Sequence, residues 1–301
     1  MAERLMLSLL LFFAASLPAQ DTGAVNDGEI PILRPDTAQL LPEQRQIVRD
    51  SEGYFDRYRE TLTPEQLGAA FGRLGMAYQA LRIQAAAVAA YKNAILHAPD
   101  DPGWPFYLAV EYEEMGEWTR AIQQYENSLR LHPDNPFVWL RLGEVALEAG
   151  QLGNARNAFI EATTLQPDFA AAIGGLGKVA SRQQEYSLAI QYFTNALRLQ
   201  PEANLLHYRM AQAYRHQGNV AAAEEHLKQR GEQDLTATDP LISLLERFSR
   251  SSAYYVSEGV RAASDGNQAL ATNLFKLAVT VNPGDVEAYT QLALSLRIQQ
   301  K

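Results

Sequence analysis

Histidines, adjacent glutamates and one glycine-rich stretch are the places where this sequence could do chemistry. His97, His132, His207, His216 and His226 would need metal-ligand spacing to hold zinc, and no pair has it within a metalloprotease motif. His97 and His132 instead stand just before a proline, where an imidazole bonds free helix carbonyls. Gly174-Gly175-Leu176-Gly177-Lys178 suggests a phosphate-binding loop. Ala172 replaces its first glycine, however, and Val179 replaces the hydroxyl residue that would reach magnesium. Glu113 and Glu114 lack a supporting acid–base group and read as solvated charge. There is no Gly-x-Ser-x-Gly elbow. Without cysteine there is no disulfide, thiolate metal site, thiol nucleophile or cysteine-linked lipid. No catalytic centre, metal or cofactor is therefore expected.

The elements that would position any site must come from a chain of 301 residues, 47% apolar, which suffices for a core. A formal charge of −9 does not steer a chain toward phosphate backbones, so a nucleic-acid partner is not expected. Met1–Gln20 has a cationic start at Arg4, an apolar run from Leu5 to Ala15, then small residues and Pro18. That is the shape of a cleavable secretory leader, read here as residues 1–19. The apolar run is shorter than the roughly 20 residues a membrane span needs. A periplasmic or secreted protein, meeting the membrane only during export, is expected.

The rest of the chain repeats. Pro99, Pro133, Pro167 and Pro201 lie 34 residues apart. Ala87, Ala121, Ala155, Ala189 and Ala223 keep the same step, as do Tyr91, Tyr125, Phe159 and Phe193. Small residues recur earlier in each copy, at Gly75, Ala109, Gly143, Gly177 and Ala211. A fixed period of this size marks a repeat array. Each copy resolves into two helices, for example 137–150, stopped by Gly150, and 154–168, stopped by Pro167. The small residues let the two helices approach, and the aromatic fills the gap between them.

Phe71, Leu74, Gly75 and Tyr78, followed by Ala87, Tyr91, Ala94 and Pro99, resemble the tetratricopeptide repeat. So do Trp139, Leu142 and Gly143 with Ala155, Phe159, Ala162 and Pro167. The exported bacterial type of that family is the one suggested by the leader. Five copies span 67–237, after a linker and capping helix at 20–66 whose Thr63 to Gln66 form a capping box. The fifth copy decays after Ala223. Residues 238–251 carry an extra helix, opened by Asp239 and Pro240 and expected to wedge between repeats five and six. A sixth repeat and a terminal half-repeat helix fill 252–301.

The resemblance implies an all-α, right-handed superhelical solenoid. The first helix of each pair would line a concave groove that grips a protein or peptide partner. Carried onto this sequence, the groove register gives Phe106, Glu113 and Glu114 in the second copy and Glu144 and Glu148 in the third. It gives Lys178 and Arg182 in the fourth, and Tyr208, Gln212, Arg215 and His216 in the fifth. The groove would be acidic in its second and third units and basic in its fourth and fifth. One of Trp104 and Phe106 is expected to face it, while Trp118 and Trp139 are expected in the core. The carboxylate clamp of chaperone adaptors is not expected, because Gly72, Met76, Tyr107 and Phe137 stand where its ligands belong and only Arg141 agrees. The implied function is a non-catalytic scaffold or assembly factor of a bacterial envelope. Alternatives are a maturation helper for cytochromes or polysaccharide secretion, or a repeat module from a larger enzyme-containing protein.

Overall fold

A computed structural model describes residues 28–299. The leader read at 1–19, the start of the linker and Lys301 lie outside the described residues. No strand occurs among the described residues. After a single 3-10 turn, α1 (Pro42–Tyr58) packs on α2 (Pro64–Ala80), with the rings of Phe55 and Phe71 4.6 Å apart. Thr63 opens α2 as the capping box requires: its hydroxyl accepts from the Gln66 N–H, and Gln66 Oε1 accepts from the Thr63 N–H at 3.0 Å.

Five helix pairs follow. α2 pairs with α3 (Gln84–His97), and α4 (Gly103–Glu114) with α5 (Trp118–Leu131). α6 (Pro136–Glu148) pairs with α7 (Leu152–Leu165), and α8 (Ala170–Arg182) with α9 (Tyr186–Leu199). α10 (Leu205–His216) pairs with α11 (Val220–Lys228). Each pair packs on the next, which makes an α-helical repeat solenoid. Beyond it come α12 (Pro240–Arg247), α13 (Ser252–Ser264), α14 (Gln268–Val281) and α15 (Val286–Gln299).

The recurrent glycines hold the pairs together by what they lack. A Cβ on Gly143 would fall 2.6 Å from the Phe159 ring, and one on Gly75 2.7 Å from the Tyr91 ring. Gly177 stands in the same relation to Phe193. The glycine-rich stretch is thus explained by packing alone: Gly177 admits Phe193, Gly175 admits Phe159, and Gly174 admits Leu235.

Each of these five pairs, and the α13–α14 pair beyond them, turns on a left-handed residue. It is Gly116, Gly150, Gly218 or Gly266 in four copies, with φ between 73° and 80°, but Arg82 and Gln184 in the other two, at φ 59° and 62°. The Gln151 N–H reaches back to the Ala146 carbonyl at 2.8 Å, closing the helix end around Gly150. A side chain at a left-handed position costs energy that glycine avoids. Gln184→Gly is therefore expected to stabilise the chain by roughly 0.5–1 kcal/mol, read from urea unfolding. A loss of stability would show that the Gln184 side chain itself holds the turn.

The inserted helix is not wedged into the stack. After α11 the chain leaves the repeat register, and residues 229–239 run without helix back across the first helices of the pairs. Asp234 pairs with Arg209 on α10, Leu235 lies over Gly174 on α8, and the Leu241 carbonyl accepts from Tyr107 Oη on α4. α12 then packs on α2. The start of α13 sits beside α1, where Arg250 faces Glu43 at 3.7 Å and Ser252 Oγ lies 3.5 Å from Asp50 Oδ2. The apolar face of Leu241, Leu244, Leu245 and Phe248 identified a helix but could not identify its neighbour, because burial is satisfied equally by either surface.

Candidate functional site

The first helices of the pairs present two lanes, one along their N-terminal halves and one along their C-terminal halves. The lane along their N-terminal halves is filled by residues 231–241, as above. The lane along their C-terminal halves is open. There a cavity of about 400 Å³ lies between the last turns of α4 and α6, the start of α5 and the middle of α8. Glu113 and Glu114 enter it from α4, Glu144 and Glu148 from α6, Lys178 from α8, and Trp118 from the start of α5.

Five of the groove residues expected from the sequence thus converge: Glu113, Glu114, Glu144, Glu148 and Lys178. Phe106 does not. It is 0% exposed, with its ring 5.8 Å from Tyr125 of α5, because α4 turns that position inward onto its own partner helix. Trp104 is also buried, leaning over Gly72, so neither aromatic faces the groove. Trp118, expected in the core, is 36% exposed and forms one wall of the cavity. Arg182, Arg215 and Gln212 are exposed and do not line it. Gln212 Nε2 donates to Tyr208 Oη at 3.0 Å, and His216 stacks on Tyr186 with centroids 4.6 Å apart.

One of the carboxylates, Glu113, is held in place by two neighbours. Glu113 accepts from Tyr125 Oη at 2.6 Å and pairs with Arg141 at 3.2 Å. Burial pushes the Glu144 carboxyl up, against the pull of Arg141 and Lys178. Asp234 of the filled lane sits lower than usual. Burial opposes this, but the Leu235 N–H, Lys178 and Arg209 prevail. Lys178 thus favours the charged forms of both Glu144 of the open lane and Asp234 of the filled one.

Four glutamates at the C-terminal turns of two helices oppose the usual preference, since those turns carry partial negative charge and favour cations. The arrangement concentrates negative potential in the cavity. A cationic side chain could lay its stem on Trp118 and its charge among the carboxylates.

The histidines perform other tasks. His97 does not cap α3; its Nε2 lies 2.8 Å from Glu29 Oε1, with the ring stacked on Phe71. His207 and His226 share a contact of 2.9 Å between their Nδ1 atoms. No group of three or more histidine, aspartate or glutamate side chains suited to a metal gathers among the described residues. No helix among them is long and apolar enough to cross a membrane.

A family model described as the middle tetratricopeptide-like domain of cilia and flagella-associated protein 70 matches residues 106–234. A solved structure of MamA protein is 19% identical, with a TM-score of 0.51 over 60% of this chain and 90% of its own. YrrB, described as a tetratricopeptide protein with an unusual peptide-binding site, is 17% identical, with a TM-score of 0.52 over 60% of this chain and 91% of its own. At these identities the likeness is one of fold. No curated protein matches the sequence.

Proposed function

We propose that this chain, an α-helical repeat solenoid that resembles tetratricopeptide-repeat proteins, is a protein-interaction scaffold whose open lane receives a basic side chain of a partner segment. The observation that carries this reading is the gathering of Glu113, Glu114, Glu144, Glu148 and Trp118 around one concave cavity. Four carboxylates against the single Lys178 leave the cavity with an excess of negative charge, which attracts and orients a positively charged segment. The leader-like start supports an exported setting, periplasmic or secreted, and the repeat architecture supports binding rather than catalysis.

Short extended peptides with one central arginine, otherwise neutral, test the reading by calorimetric titration. They are expected to bind more tightly than the same peptides with glutamate, and at least about tenfold more weakly to the Glu144→Gln/Glu148→Gln chain. Binding should weaken as salt rises from about 0.05 to 0.5 M. Equal binding of arginine and glutamate peptides, or binding of neither, would overturn it.

A further inference from the structure

The filled lane has the form of a peptide-binding site with an occupant. Gln200 Oε1 accepts from the Thr236 N–H at 3.0 Å, and Gln200 Nε2 donates to the Thr236 carbonyl at 2.8 Å. Asn204 Oδ1 accepts from the Gln233 N–H at 3.1 Å, and the Leu205 N–H donates to the Gln233 carbonyl at 2.9 Å. Main-chain bonds of this kind grip an extended segment whatever its sequence. Side-chain recognition is separate. Arg209 takes Asp234 at 2.9 Å, and Gly174 leaves a recess for Leu235 that any Cβ would close.

Glycine inside a helix costs up to about 1 kcal/mol relative to alanine. Gly174 has no aromatic partner within its own pair, unlike Gly177; its nearest neighbour is Leu235. The helix therefore bears a cost at this position for the sake of a leucine from elsewhere.

The occupant itself is lightly held. Residues 229–239 form no helix, and among them only Asp239 is fully buried. A segment with few buried apolar contacts opens at a lower cost than the packed helices. We infer that the lane through Gly174, Gln200, Asn204 and Arg209 is a binding site for an extended partner segment bearing an acidic residue followed by leucine, occupied in this chain by residues 231–241. A partner gains access by displacing them. The inference concerns the filled lane and stands whether or not the open lane takes a basic side chain.

A fluorescent peptide of residues 229–243 is the probe, followed by anisotropy with the full chain. The tethered segment competes at an effective concentration on the order of millimolar, so the unaltered chain is expected to leave about 10 µM probe unbound. Asp234→Ala/Leu235→Ala in the chain releases the lane, and saturable binding is expected. Adding Arg209→Glu to the released chain should weaken that binding at least about tenfold, whereas the same charge reversal at the exposed Arg130 of α5 should leave it unchanged. A released chain that keeps the parent's helicity and binds no probe overturns the inference. Amide exchange on the unaltered chain serves as the second measurement. The Gln233 and Thr236 amides are expected to exchange well before those of α8 and α9. Exchange of all of them together, only on global unfolding, would make the segment a fixed part of the core and overturn the inference without any variant.

Discussion

Replacing Glu111 with valine is expected to stabilise the chain by about 3 kcal/mol at pH 8 and by much less at pH 5. Glu111 is 1% exposed, and neither of its carboxylate oxygens has a hydrogen-bond partner. Burial, with Glu114 nearby, pushes its pKa from 4.5 up to about 7. Between those values the folded chain holds a proton that the unfolded chain has released. Stability therefore falls as pH rises through that window and levels off above it. At about 1.4 kcal/mol for each tenfold change in proton affinity, the loss is about 3 kcal/mol. The register names the replacement. Ala77, Val145, Val179 and Ala213 occupy the equivalent places in the other copies, and all are buried. Urea unfolding of both chains at the two pH values checks the expectation. A gain that is equal at both would show that the carboxyl is not the source, and that packing is.

The 34-residue period, the pairing of each small residue with an aromatic, and the helix-ending turns were all legible in the sequence, because each is set by residues within one copy or its neighbour. The acidic character of the open lane was legible for the same reason: Glu113, Glu114, Glu144 and Glu148 follow from register alone. The filled lane was not. Residues 229–241 carry no period, and what they touch, Gln200, Gly174 and Tyr107, lies about 30 to 130 residues back. A trace did exist. Gly72 and Gly174 stand at the register position that Phe106 and Leu140 fill in the copies between them, and the packing of the pair requires neither glycine. Each marks a large side chain leaning in, Trp104 over the first and Leu235 over the second. Glu111 was visible in the same way, as an acid where the other copies place alanine or valine.

Phe159→Ala is expected to cost about 3–5 kcal/mol and to disable the acidic cavity together with the fold around it. The ring is 0% exposed and lies between two glycines of different pairs: a Cβ on Gly143 would come within 2.6 Å of its Cε1, and one on Gly175 within 2.5 Å. One side chain thus sets how far α6 stands from α8. Glu144 and Glu148 belong to α6 and Lys178 to α8, so the same spacing sets the distance between the cavity's carboxylates and its lysine. The mechanism predicts a reversal of sign that simple loss of burial does not. In the parent chain Gly143→Ala must destabilise, since the ring it strikes is backed by Gly175 and cannot retreat. In the Phe159→Ala chain the same substitution should stabilise by up to about 1 kcal/mol, because the clash is gone and alanine is the better helix former. A four-chain cycle of urea unfolding measures this. If Gly143→Ala is unfavourable in both backgrounds, the ring is not what excludes a Cβ there, and the spacing of the two helices is set by some other contact.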